Sequence, residues 1–153
     1  MKVSTLFAFS SLSLFTSIAP GVAVGGGPLE ARDMLEVAVL ALKTDQAKAL
    51  EMFNRGDAAF NQGDLYVICA DAAGKVVAHG LPSLVGKDFA ALKDKTGKEY
   101  GRTMLNEARF GEVKFTQYYL PKPGGSNEVF KEDYYTKVGK LTCGVGYYST
   151  KSE

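Results

Sequence analysis

Beyond residue 30, apolar side chains recur at Leu35, Ala38, Val39, Leu42, Ala49, Leu50 and Phe53. This is the three-and-four spacing of a helix face, and it predicts one helix over residues 31–54 with Gly56 as its stop. At 1.5 Å per residue it would run roughly 35 Å, enough to cross a small sheet. Residues 37–42 are apolar on all sides, so this stretch is either deeply buried or paired with a second copy of itself. From Asp64 the period changes. Residues 65–70 and 75–79 read as two short strands around the turn Asp71-Ala72-Ala73-Gly74, which makes a hairpin. Residues 80–97 form a loop-rich passage with one helical turn near Phe89, and residues 98–109 carry a second helix with Tyr100, Met104, Leu105 and Ala108 on one face. Strands at 112–120 and 129–138 flank Pro121-Lys122-Pro123-Gly124-Gly125, and a last strand covers 141–148. The order predicts an α+β domain: a five-stranded antiparallel sheet with the long helix on one face and the 80–111 insertion, between strands two and three, across the other. A small-molecule site is expected beneath that crossing.

The first 23 residues follow a different logic. Lys2 precedes an apolar stretch from Leu6 to Ile18, and Ala19-Pro20-Gly21-Val22-Ala23 offers small residues for cleavage, the pattern of a secretory signal peptide. The serines and threonines between Ser4 and Ser17 weaken the alternative, an uncleaved membrane anchor. Residues 24–30 are then a flexible link and residues 31–153 a single domain, exported to the periplasm or secreted. With 18 Lys+Arg against 17 Asp+Glu and no basic block, the charge gives no footprint for nucleic acid. One His and two Cys leave few ligands for zinc, and no cofactor is indicated.

Six of the eight tyrosines fall in doublets on the last three strands: Tyr118-Tyr119, Tyr134-Tyr135 and Tyr147-Tyr148. Alternation along a strand sends one ring of each doublet to either face, without saying which. The functional reading is an aromatic cage with polar tips, and the plain one is packing. His79 ends the second strand where the insertion begins, and Arg102 could make a bidentate pair with a carboxylate. Lys131 could stand beside it as a point charge, although a solvated face is the preferred reading for that lysine. Export makes Cys69 and Cys143 a disulfide; the competing reading pairs either thiol with His79 as a nucleophile, which the apolar runs around both cysteines disfavour. Gly144-Val145-Gly146 lacks the helix and full spacing of a phosphate loop.

Several segments together resemble the single Cache domain family of extracytoplasmic sensor modules. They are Leu42-Lys43-Thr44-Asp45 with Ala49-Leu50, Asp64-Leu65-Tyr66-Val67, Asp71-Ala72-Ala73-Gly74-Lys75 with Ala78-His79, and Leu84-Val85-Gly86-Lys87. Gly97-Lys98, the run Tyr118-Tyr119-Leu120-Pro121-Lys122-Pro123-Gly124, Tyr134-Tyr135 and Cys143-Gly144-Val145-Gly146-Tyr147-Tyr148 complete the set, and their order and spacing carry the likeness. The resemblance implies a PAS-like sheet whose first and last strands are neighbours, so that the Cys69–Cys143 bridge would join them. It also implies a pocket for small organic ligands, often carboxylates, and a setting on a chemoreceptor or histidine kinase. Because the sequence stops at Glu153 without a signalling domain, the expectation is a stand-alone binding domain that reports to a membrane receptor or kinase partner. It would not be an enzyme, would bind its ligand through His79, Arg102, Tyr118 and Tyr134 in one cavity, and could pair as a homodimer through the long helix. The rival readings are an exported thiol or hydrolytic enzyme using His79, and an interaction module built around helix pairing.

Overall fold

A computed structural model describes residues 26–149; the predicted leader lies outside these residues. Helix α1 (Pro28–Thr44) begins three residues inside the expected link, because Pro28 supplies a preset φ at the first helical position and the Glu30 carboxylate accepts the Gly27 N–H at 3.0 Å. It buries Ala31, Met34, Leu35, Ala38 and Leu42, while Val37 and Leu40 stay exposed on its other side. The apolar middle is therefore buried on one side only.

The single long helix of the sequence reading is two. Asp45 adopts an extended conformation (φ −155°, ψ 96°), closes α1 by donating its N–H to Ala41, and opens helix α2 (Gln46–Arg55) by accepting the Lys48 N–H at 3.0 Å on its carboxylate. Thr44-Asp45 is thus a start signal embedded in a continuous apolar period. The side chain satisfies an otherwise orphaned donor of the new helix, and the chain bends there to keep Ala49 and Phe53 on the core. Asp45→Ala is expected to lower stability by about 1 kcal/mol in urea unfolding, and an unchanged midpoint would show that the break does not depend on this cap. Gly56 ends α2 with a φ of 76°, as the sequence indicated.

The strands are β1 (Asn61–Gln62), β2 (Leu65–Ala70), β3 (Val76–Ala78), β4 (Lys114–Pro121), β5 (Glu128–Val138) and β6 (Leu141–Tyr148), with helix α3 (Tyr100–Glu107) before β4. The predicted five are present, and the two-residue β1 is the sixth. All pairings between the named strands are antiparallel, in the order β1-β2-β6-β5-β4, with β3 also beside β2. The last strand therefore enters the middle of the sheet, next to the first long one. Cys69 on β2 lies opposite Cys143 on β6, their Cα atoms are 4.1 Å apart, and they form the disulfide.

The sheet separates two apolar clusters. On one face α1 and α2 pack over Leu65, Val67, Cys69, Leu141, Cys143 and Val145. On the other, Phe89, Tyr100, Met104 and Ala108 of the insertion cover Tyr66, Ile68, Tyr118, Tyr135 and Tyr148. The insertion has two short 3-10 turns, Pro82–Leu84 and Phe89–Ala91, before α3. Among the described residues no helix is long and apolar enough to cross a membrane.

Candidate functional site

The second face holds the chemistry. Lys131 and Asp133 alternate on β5, between β6 and β4, so both side chains leave the sheet toward the insertion, and both are 0% exposed. Burying a Lys and an Asp in a strand interior requires room and compensation. The room comes from β6. A Cβ on Gly146 would sit 2.3 Å from Lys131 Cε and 2.6 Å from Asp133 Oδ2, and one on Gly144 would sit 2.4 Å from Asp133 Oδ1. The Gly-Val-Gly run is thus a clearance for two charged side chains, with Val145 turned into the opposite core.

Compensation is partial. Lys131 Nζ lies 3.9 Å from Asp133 Oδ2, too far for a hydrogen bond. It rests 3.9 Å from the centre of the Tyr66 ring and 5.2 Å from that of Tyr148, a cation held against two aromatic faces. The Tyr118 hydroxyl donates to Asp133 Oδ2 at 3.0 Å, and the Tyr148 hydroxyl donates to the Pro121 carbonyl at 2.6 Å. Lys131 Nζ and Asp133 Oδ1 have no hydrogen-bond partner at all. Buried polar groups are paired almost without exception, so an unpaired ammonium beside an unpaired carboxylate oxygen is an arrangement suited to a polar guest.

Burial governs the titrations. It pushes the Asp133 carboxyl up to about 6, against the opposing pull of the Lys131 charge and the Tyr118 hydrogen bond. Burial draws the Lys131 ammonium down, with Asp133 holding it up. His79 is lowered to about 3 by burial, then by the Lys131 charge, so it is neutral at any physiological pH. Its Nδ1 accepts the Leu81 N–H at 2.8 Å, which puts the ring proton on Nε2. The Tyr66, Tyr118 and Tyr148 phenols are all raised, chiefly by burial, and stay protonated.

The insertion is strapped down at the free edge of β4. Asp94 accepts the Tyr119 N–H at 3.1 Å, the Lys98 ammonium donates to the Gln117 carbonyl, and the Tyr100 ring stacks on Tyr118 with centroids 3.9 Å apart. The strap satisfies edge groups that would otherwise face solvent and closes the roof of the cluster.

Of the four residues expected to share one cavity, the structure brings two together. Tyr118 is in the cluster, and His79 lies against Tyr66 with ring centroids 5.1 Å apart. Arg102 does not join them: it lies on the outer side of α3, 54% exposed, paired with Glu99 at 2.6 Å, because the inner side is taken by Tyr100, Gly101 and Met104. Tyr134 faces the helix layer, under the Arg32 guanidinium and beside Tyr147, while its neighbour Tyr135 takes the insertion side and donates to Glu107 at 3.1 Å. The second and third doublets split between the faces, with Tyr135 and Tyr148 as the members on the insertion side. Lys131, assigned to a solvated face, is buried at the centre instead. The signal for it was the i, i+2 pair of charges inside a strand that faces two glycines. Both sulfurs are consumed in the disulfide, so neither can act as a thiolate beside His79.

A separate open groove of about 320 Å³ lies on the helix side, lined by Leu35, Val39, Phe110, Val113 and Val138, and it shares no residue with the cluster.

The sequence profile of the family Single Cache domain 2 matches residues 32–143. A crystal structure of a methyl-accepting chemotaxis protein from Vibrio parahaemolyticus is similar with a TM-score of 0.65 and 23% identity, over 78% of this chain and 86% of that one. A periplasmic sensor domain of a chemotaxis protein gives 0.59 and 24%, over 76% and 86%. A structure described as the basis for carboxylic acid recognition by a Cache chemosensory domain gives 0.58 and 21%, over 78% and 86%. At these identities the likeness is one of fold. No curated protein sequence matches the chain.

Proposed function

The chain belongs to the single Cache domain family, and we propose that it is an exported sensor-type module that captures a small organic carboxylate against Lys131 beneath the 80–111 insertion. The observation that carries this reading is the buried Lys131 ammonium with no hydrogen-bond partner. A carboxylate would give it a charge-assisted pair in a site shielded from water, where such a pair is strongest. Tyr66, Tyr118 and Tyr148 form the aromatic walls, and neutral His79 backs Tyr66. That one structural neighbour is described by its carboxylic acid recognition supports the ligand class. Because both charged side chains are fully covered, a guest can enter only if part of the covering layer moves aside.

The disulfide suits an oxidising compartment, which agrees with the leader read in residues 1–23. A membrane receptor or kinase would take the signal onward, and Val37 and Leu40, exposed on α1, are the apolar residues through which a second copy would pair.

A thermal-shift screen over small carboxylates, amino acids and amines tests the reading. A ligand at a hundredfold excess over its Kd should add about 2.7 kcal/mol of apparent stability. Carboxylates are expected to produce the shift, Arg102→Ala to keep it, and Lys131→Met to remove it. If no carboxylate stabilises the protein, or if Arg102→Ala abolishes the shift while Lys131→Met keeps it, the site is elsewhere.

A further inference from the structure

We infer that capture of a carboxylate at this site is coupled to the uptake of one proton, with the Asp133 carboxyl as the group that receives it. The inference rests on the proposed carboxylate reading and adds to it a dependence on external pH. Its basis is charge balance in a closed space. Lys131 and Asp133 are the only two charged side chains on this stretch of β5 that face the insertion, they are 3.9 Å apart, and both are completely buried. Together they are neutral. An anion that reaches Lys131 brings a second carboxylate to a place that already holds one, and both side chains there are buried away from bulk solvent, which would otherwise screen the two. Two carboxylates sharing one buried site cannot both ionise at ordinary cost, and one of them takes a proton.

Asp133 is built to receive it. Its Oδ2 is already held by the Tyr118 hydroxyl, whereas Oδ1 has no partner, so a proton there turns an orphaned acceptor into a donor aimed at the incoming oxygen. The guest's two oxygens can then be divided between the Lys131 ammonium and the protonated Asp133.

The other titratable groups around the pair do not compete. Tyr118 on β4, Tyr66 on β2, Tyr148 on β6 and Tyr100 on α3 are phenols raised by burial, and they remain neutral. Tyr135 on β5 is also raised and donates to Glu107 of α3. His79, at the start of the insertion, is lowered to about 3 and stays uncharged. Asp64, beside β2, is paired with Lys122 at 2.9 Å, and for Asp94 in the strap the upward push of burial is outweighed by hydrogen bonds from Thr96, Lys98 and Tyr119, which together hold it low. Asp133 is the carboxyl of this cluster that burial pushes up to about 6.

The sign follows from linkage. Below the free-state titration Asp133 is already protonated and affinity is at its plateau. Above it each binding event must draw a proton from solvent, so affinity falls about tenfold for each further pH unit until the carboxyl of the complex itself ionises.

The probes are acetate and succinate, both ionised across most of the range, titrated calorimetrically into the full exported protein from pH 6 to 8. Parallel runs in phosphate and in Tris give the number of protons exchanged, and carboxyl-carbon NMR of labelled protein follows Asp133. The expected result is a Kd that rises ten- to a hundredfold between pH 6 and 8, uptake approaching one proton, and an Asp133 carboxyl that is ionised when free at pH 7.5 and protonated in the complex. Binding with no proton exchange would overturn the inference and leave the carboxylate reading standing. Uptake with an unchanged Asp133 signal would overturn the assignment to Asp133. Failure of either acid to bind at any pH would overturn the carboxylate reading, and the inference with it.

Discussion

Replacing both Cys69 and Cys143 with Ala is expected to lower stability by about 4 kcal/mol relative to the oxidised protein. The bridge closes a separation of 74 residues, and in the chain-entropy view a loop of that size restricts the unfolded ensemble by roughly that amount. Its position adds to the effect. Cys69 and Cys143 face each other across β2 and β6, the pairing that inserts the last strand beside the first long one, and both are buried under the helix layer. Without the bridge that pairing must form between segments far apart in sequence on contact energy alone, and many small domains do not carry a reserve much larger than the loss. Urea unfolding of the oxidised protein, the reduced protein and the double Ala variant measures it. A loss below 1 kcal/mol in both bridge-free forms would show that the helix layer alone fixes the central pairing.

The elements that were legible in the sequence are those whose signal is local. The strands at 65–70 and 141–148 carry continuous apolar runs bounded by turn residues, and they appear at those bounds. The three tyrosine doublets follow from strand alternation alone. What the sequence hid depends on which side of an element meets the core. Arg102 and Tyr100 lie on the same short helix, and only the direction in which α3 packs decides that the tyrosine enters the cluster and the arginine meets Glu99 and solvent. For Tyr134 and Tyr135 the deciding fact is the register of β5 against β6, which places Tyr135 opposite Gly144 and Asp133 opposite Gly146. The break at Asp45 leaves no mark on the apolar period, because its cap acts through one side chain inside an unbroken helical spacing. Lysines are generally solvated, and Lys131 departs from that rule because two glycines of β6 leave room beside it, a juxtaposition set by strand pairing and not by local sequence.

A double-mutant cycle on Lys131 and Asp133 should separate a pair kept for binding from a pair kept for folding. Lys131→Met leaves the Asp133 carboxylate buried without its counter-charge, and breaking a buried pair from one side costs about 3–5 kcal/mol. That cost is pH-dependent with a definite sign. Removing the ammonium raises the folded-state titration of Asp133 beyond about 6, so wild type and variant differ little while the carboxyl is protonated in both, and the cost grows as pH rises through about 6; at pH 4 the loss should be small, and at pH 8 much larger. Asp133→Leu leaves the lysine, which escapes part of its penalty by giving up its proton, since burial already pulls it down. The double variant Lys131→Met with Asp133→Leu carries neither charge. It should recover to within about 1 kcal/mol of the wild type, because apolar groups of similar volume replace a buried ion pair at little or no net cost. The same double variant should lose carboxylate binding entirely. The pair is poorly made as a structural element: the two groups are 3.9 Å apart, and an ammonium and a carboxylate oxygen are both left without partners. If the double variant instead loses as much stability as the two single changes added together, the pair does hold the sheet together, and the case for a site shaped by its guest falls with it.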